Sequence, residues 1–93
     1  MAVEVILPAA LREYTKGTSQ IQGRGRSLAA LLADLDKRFP GLRQRVCEDT
    51  GVVRQYVSVF VNGDQVTEAD PARVRLRDGD TVHILPSIAG GLP

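Results

Sequence analysis

Apolar residues occupy every second position near the start of the chain, at Val3, Val5 and Leu7, and Pro8 follows them. This alternation predicts a β-strand with one face turned inward. We expect a connector with a helical turn at residues 9–14, then a second strand at residues 18–22 that pairs with the first as a hairpin. A surface loop at residues 23–26 should complete this part of the chain.

The next apolar residues recur at three- and four-residue steps, which is the period of an amphipathic α-helix. Ser27 is a suitable N-cap, because its hydroxyl can accept a hydrogen bond from a free amide of the first turn. Pro40 and Gly41 end the helix. A short further turn is predicted at residues 42–46, with Leu42 and Val46 directed inward. The apolar stripe of the main helix comprises Leu28, Leu31, Leu32, Leu35 and Phe39.

Strand patterns dominate the second half of the chain. Residues 56–61 are rich in β-branched and aromatic side chains. Asn62-Gly63 follows at once and favours a tight hairpin turn, since both residue types tolerate positive φ angles. Val74 and Leu76 alternate with arginines that should face water. The remaining predicted elements are a returning strand at residues 65–66, a turn at residues 78–80 and a last strand at residues 81–85.

The leucine stripe can be buried only if the helix lies across one face of the sheet. The first and last strands should run parallel at the centre of that sheet. The sequence therefore predicts an α+β protein of the β-grasp, or ubiquitin-like, class, with a mixed sheet of four to five strands and one main helix. We expect residues 1–86 to form this domain and residues 87–93 to form a flexible tail.

Side-chain alternation also assigns residues to the two faces of the sheet. On the last strand, His83 and Leu85 should point to the open face, and Phe60 should join them there. By similarity to ubiquitin, this apolar patch would be a docking surface; ordinary scatter of exposed apolar residues is the alternative. The expected core consists of the residues directed toward the helix together with the helix stripe: Val5, Leu7, Leu28, Leu31, Leu32, Leu35, Val59, Val61, Val82 and Ile84.

Composition narrows the functional classes. A chain of 93 residues builds one small core, and its 43% apolar and 25% charged content is that of an ordinary folded protein. The net charge of +1 argues against a nucleic-acid partner bound by phosphate neutralisation. No apolar tract is long enough to span a bilayer, and the N-terminus does not resemble a signal peptide. We expect a cytoplasmic protein with no nucleic-acid or membrane partner.

Residues able to perform chemistry are few. Cys47 is the sole cysteine, so it forms no internal disulfide and builds no zinc or iron–sulfur site by itself, which excludes a β-grasp ferredoxin. It either packs inside or lies unreactive at the surface. His83 is the sole histidine, and no nucleophile–base pair is visible. The glycine spacing around Arg24 fits neither a P-loop nor a dinucleotide-binding motif. We therefore expect no enzyme, metal or bound cofactor.

The chain nevertheless carries a distinctive ending, in which Gly90 and Gly91 follow an apolar strand. Glycines can pass through a channel that admits no side chain. The segments that match a known family are Pro8 to Arg12, the Leu28 to Leu35 helix, Val61-Asn62-Gly63, Asp78 to Val82 and, most specifically, Leu85 to Gly91. With these pieces, the chain resembles the ubiquitin-like sulfur-carrier proteins, among them the molybdopterin synthase small subunit and the thiamine sulfur carrier. The segment after the first strand is most similar to the cysteine-synthesis branch.

The resemblance implies a mechanism and a set of partners. An E1-like adenylating enzyme would use ATP to activate the carboxylate of Gly91. A sulfur donor would then leave a thiocarboxylate there, and a biosynthetic acceptor enzyme would receive the sulfur. Such a protein is a co-substrate, not an enzyme. Besides Gly91, the residues implied in binding partners are Ile88, Ala89, Gly90, Phe60, His83 and Leu85.

The chain departs from the commonest family pattern because Leu92 and Pro93 follow Gly91. The resemblance implies a precursor, trimmed between Gly91 and Leu92 by a JAMM-type zinc metalloprotease. Pro93 itself as the activated terminus is a rival, although its ring is bulky where the family has glycine. The alternative function is a ubiquitin-like protein modifier or an interaction module. The sequence leaves open which pathway receives the sulfur.

Overall fold

The computed structural model describes residues 2–86, with Pro86 described by its backbone alone. These residues form five strands, two α-helices and two short 3₁₀ helices, the latter at Ala9–Thr15 and Pro71–Arg73. The strands and α-helices, in chain order, are β1 (Val3–Ile6), β2 (Gln20–Gly23), α1 (Leu28–Arg38), α2 (Leu42–Val46), β3 (Val57–Val61), β4 (Asp64–Gln65) and β5 (Thr81–Pro86).

All five strands form one mixed sheet in the order β2-β1-β5-β3-β4. β1 and β5 run parallel, with Val5 opposite Val82, and the other neighbouring pairs are antiparallel. The first and last strands are therefore joined at the centre of the sheet. The predicted α+β architecture of the β-grasp class is confirmed.

Helix α1 packs its leucines on one face of the sheet. Ser27 caps the helix as predicted, since its Oγ accepts a hydrogen bond from the Ala30 amide at 3.1 Å. The four leucines of the stripe within α1 are completely or almost completely buried, and Phe39 packs at the edge of the same core. Core residues beyond the predicted set are Val3, Ile21, Leu42, Val46, Cys47 and Leu76.

Some predicted boundaries were wrong. β2 begins at Gln20, because Thr18 is held in the preceding turn by a hydrogen bond from the Thr15 hydroxyl to its carbonyl, at 2.7 Å. β3 begins one residue later than predicted and β4 one residue earlier. Val61 is only partly buried, because it ends β3 directly before the hairpin turn. The segment predicted as a flexible tail, residues 87–93, lies outside the described residues.

Two of the family-like segments are joined by a hydrogen-bond network. Asn62, which adopts a positive φ of 52°, donates from Nδ2 to Asp80 Oδ1 at 2.9 Å and accepts at Oδ1 from the Thr81 amide at 2.9 Å. Asp80 Oδ2 also accepts from the Arg77 amide at 2.8 Å. The hairpin turn is thus tied to the start of β5, and these segments serve the fold.

The first prediction concerns Leu32, which is 1% exposed under the sheet. Leu32→Ala should lower the free energy of unfolding by about 2–5 kcal/mol, since it removes buried methyl groups and leaves a cavity. Lys37→Ala, at an exposed position of the same helix, should change it by no more than about 0.5 kcal/mol. Urea denaturation measures both values. Equal effects of the two substitutions would contradict the assigned core face.

The second prediction concerns pH. Two hydrogen bonds lower the pKa of Asp80. The larger effect comes from the Asn62 side chain, and the second from the Arg77 amide. Because the folded pKa is lower than the unfolded value of about 3.9, the ionised carboxylate stabilises the fold at pH values above about 3.9. This stabilisation is lost as the pH falls through the folded pKa. Asp80→Ala should therefore destabilise the protein more at pH 7 than at about pH 3.

Urea denaturation at the two pH values, with Asp49→Ala as the control, tests this expectation. Asp49 is exposed in the loop after α2, and the described hydrogen bonds include none that its carboxylate accepts. Its replacement should have the same small effect at both pH values. A loss for Asp80→Ala that does not change with pH would contradict the role assigned to the ionised carboxylate.

Candidate functional site

The residues predicted to carry the chemistry, Ile88, Ala89, Gly90, Gly91 and Leu92, lie outside the described residues. The structure does define the point from which they continue. β5 is hydrogen-bonded to β1 as far as His83 and to β3 as far as Pro86. The described part of the chain therefore ends on a strand that is anchored at the centre of the sheet.

The three predicted docking residues meet on the open face of this sheet. His83 lies opposite Phe60 across the antiparallel pair and beside Ile6 across the parallel pair. Leu85 follows two residues later on the same strand and is 43% exposed. Because residues directly opposite one another share a face, these side chains form one surface. We call Ile6, Phe60, His83 and Leu85 the open-face patch.

Polar side chains share the face with this patch. The strand registers place them on β1, β2, β3 and β4 and at the start of β5: Glu4, Gln20, Gln22, Ser58, Gln65 and Thr81. An apolar centre with a polar rim is the usual anatomy of a protein-binding surface. The arrangement is therefore of the kind that binds other proteins.

Ile6 was missed as a member of the patch. The alternation of β1 shows that its side chain points away from the core. However, the sequence does not give the parallel register that puts Ile6 beside His83. An apolar residue at an outward position of a predicted central strand is the signal that could have found it.

Cys47 packs inside, which decides between the two alternatives left by the sequence. It is 4% exposed and belongs to the hydrophobic core. Burial raises the pKa of its thiol, although the charges of Arg43 and Arg54 oppose that effect. Because the thiolate is the reactive form, this cysteine is poorly suited to nucleophilic chemistry.

The loop that contains Gly23 and Gly25, on either side of Arg24, also has a structural role. The Arg24 amide donates to Asp34 Oδ2 at 3.0 Å, and this bond, more than the nearby Arg38 side chain, lowers the pKa of Asp34. A Cβ atom at Gly25 would lie 2.4 Å from the Leu31 nitrogen, so only glycine fits against α1. The Arg24 amide is therefore occupied by the carboxylate of Asp34 in α1. In a phosphate-binding loop, such amides are free to bind the phosphate.

Residues 2–86 offer neither a metal-binding cluster nor a membrane span. No three side chains among the His, Cys, Asp and Glu residues in this range are grouped to hold a metal ion. Within the same range, no helix has the length and apolar character needed to cross a membrane. The described structure does group apolar side chains on the open face of the sheet, near the end of β5.

Comparison with known proteins gives consistent results for sequence and structure. The model of the ThiS family matches residues 5–91. The sulfur carrier protein CysO of Mycobacterium tuberculosis is 32% identical over 93 residues, covering 98% of this chain and all of the relative. Small archaeal modifier protein 3 of Haloferax volcanii is 39% identical over 61 residues, covering 66% of this chain and 65% of the relative.

Among solved structures, a chain in the crystal structure of the Amycolatopsis orientalis BexX/CysO complex superposes with a TM-score of 0.86. It is 29% identical, and the superposition covers 96% of this chain and 99% of that one. The crystal structure of M. tuberculosis CysO gives a TM-score of 0.85 at 30% identity, covering 91% of this chain and 98% of that one. Both similarities extend over nearly the whole fold.

Proposed function

Because this chain belongs to the ThiS family, we propose that it is a sulfur carrier whose Gly91, once separated from Leu92, bears a C-terminal thiocarboxylate. The observation that carries the proposal is the extent of the family match, which ends at Gly91 and leaves Leu92 and Pro93 beyond it. The near full-length similarity to CysO, a sulfur carrier protein, supports the same assignment.

The proposed chemistry takes place at one main-chain carbonyl. A carboxylate oxygen of Gly91 attacks the α-phosphorus of ATP on an E1-like enzyme, and pyrophosphate leaves. A sulfur nucleophile then attacks the acyl carbon, and AMP leaves with the oxygen that had joined it to the carbonyl. The product is a thiocarboxylate, whose sulfur a second enzyme transfers to its acceptor. ATP belongs to the activating enzyme, and the carrier holds no cofactor of its own.

Processing must come before activation. In the sequence as given, the carbonyl of Gly91 is in an amide bond to Leu92, so no carboxylate is available there for ATP. We propose that a JAMM-type zinc metalloprotease hydrolyses this bond. A zinc-bound water can attack the carbonyl, and Gly90 and Gly91 have no side chains to obstruct a narrow groove.

The open-face patch is the proposed docking site for the activating enzyme. Two of its four residues, His83 and Leu85, belong to β5, the strand after which the chain continues to Gly90 and Gly91, so we propose that an enzyme bound there also reaches the reactive end. Phe60 gives the patch an aromatic side chain, and aromatic residues are enriched at protein interfaces relative to the rest of the surface. Docking on the sheet and capture of the glycines would then be two parts of one encounter.

The chain would act as a co-substrate, with catalysis supplied by its partners. Cys47 is buried, and His83 belongs to an apolar surface beside Phe60. Neither residue is placed as a nucleophile or a base toward a bound substrate. The known BexX/CysO complex shows that a CysO protein forms a complex with a partner. We propose a similar association with a sulfur-accepting enzyme for this chain.

A protein modifier is the second candidate function. It is favoured by the 39% identity to small archaeal modifier protein 3. A modifier shares the diglycine and the activation by ATP, but an amine on a target protein accepts the Gly91 acyl group, not sulfur. A role as a non-catalytic interaction module would require neither step.

The third prediction tests processing and activation. The form ending at Gly91 should support ATP–pyrophosphate exchange by the E1-like enzyme of the source genome, and the sequence as given should not. The physical reason is that only the shortened form has a free glycine carboxylate. Equal exchange by both forms would remove the precursor hypothesis. Exchange by neither form would contradict activation by this enzyme.

The fourth prediction tests the open-face patch. In the form ending at Gly91, Phe60→Asp should raise the carrier concentration that gives half-maximal exchange by about tenfold or more, the loss typical of a hot-spot residue. Gln22→Asp adds the same charge to the same face, on the edge strand β2, and should have little effect. Thermal denaturation shows whether both variants remain folded. An unchanged half-maximal concentration in folded Phe60→Asp would contradict docking on this patch.

A further inference from the structure

A groove opens beside the end of β5, on the face of the sheet opposite to the open-face patch. It exists because β5 is longer than its parallel partner: the pairing with β1 ends at His83, whereas the pairing with β3 continues to Pro86. The 3₁₀ helix Ala9–Thr15 borders the groove through Ala10, Leu11 and Glu13. The walls of the groove are formed by Ala10, Leu11, Glu13, Arg45, Tyr56 and Val57, with Ile84 also contributing.

The chemistry of this groove favours an apolar occupant. Leu11, Val57 and Ile84 provide aliphatic surface. Arg45 is already engaged, since its Nε donates to the Tyr14 hydroxyl and its guanidinium lies 5.7 Å from the centre of the Tyr14 ring. The volume of about 260 Å³ is below the range of about 300–1,000 Å³ typical of small-molecule sites. One apolar side chain is therefore a better match than a cofactor.

The groove lies at the end of β5, where the chain continues toward Gly90 and Gly91. Val57, in its wall, pairs with Pro86, the last described residue before the diglycine segment. Any enzyme that binds the residues after Pro86 must approach this end of the sheet. Tyr56 at the groove, 50% exposed, and Leu85 in the patch, 43% exposed, are the only large apolar residues of the described chain that are strongly exposed. They flank the same strand end.

We propose that the activating enzyme holds this end of β5 from both faces, with one large apolar side chain inserted into the groove beside Tyr56 while its main docking surface covers the open-face patch. This inference rests on the proposed function, because it assumes that an E1-like enzyme binds the chain. The groove then contributes affinity for the carrier, and it takes no part in the transfer of the acyl group.

A matched pair of alanines in the 3₁₀ helix allows a direct test. Ala10 lines the groove, whereas the neighbouring Ala9 is also exposed and is not among the lining residues. In the form ending at Gly91, Ala10→Phe should fill the groove and raise the half-maximal carrier concentration in ATP–pyrophosphate exchange by about tenfold or more. The maximal exchange rate should stay unchanged, because the lost contact stabilises the bound carrier and the transition state equally. Ala9→Phe should behave like the parent protein.

Tyr56→Ser provides a second variant that does not depend on accommodating a larger side chain. It should also raise the half-maximal concentration, and thermal denaturation should show a folded protein. Parent-like values for both folded variants would overturn the inference while leaving the proposed function intact. Self-association that Ala10→Phe abolishes, with exchange unaffected, would assign the groove to a second copy and also overturn it. No exchange by the parent form would overturn the proposed function and the inference with it.

Discussion

The parallel pairing of β1 with β5 is the constraint on which the rest of the structure depends. It joins the beginning of the chain to its last described strand at the centre of the sheet. The leucines of α1 are buried against these strands, so the core forms only when the two distant segments meet. The last strand is thereby fixed on both sides, and the segment that follows it continues from a defined point. A carrier with its chemistry on a terminal carbonyl needs a fold that presents that end to other proteins.

The fold could be predicted because its signals are local and agree with one another. The period of the Leu28 to Leu35 stripe, the Ser27 cap and the Asn62-Gly63 turn each indicate one element, and the order of elements leaves few topologies. Boundaries were less well predicted where side chains hold the backbone, as at Thr15 and Thr18. Burial was overestimated at Val61, where the strand ends at the turn.

The candidate site could be predicted only in part, for a physical reason. Phe60, His83 and Leu85 follow from alternation within strands, which is a local property. Ile6 joins them through the register of a parallel pair, and the groove beside Tyr56 results from a difference in length between two strands far apart in sequence. Such features depend on tertiary pairing. Several residues that suggest chemistry, including Cys47 and Gly25, instead serve packing.

The central claim is that Gly91 carries sulfur, and intact-mass measurement tests it most directly. The form ending at Gly91 would be incubated with the E1-like enzyme, ATP and sulfide, with a parallel reaction lacking ATP. The account predicts that the protein gains the mass difference of one sulfur replacing one oxygen, and only when ATP is present. An unchanged mass, or a product found only as conjugates of higher mass with other proteins, would contradict it.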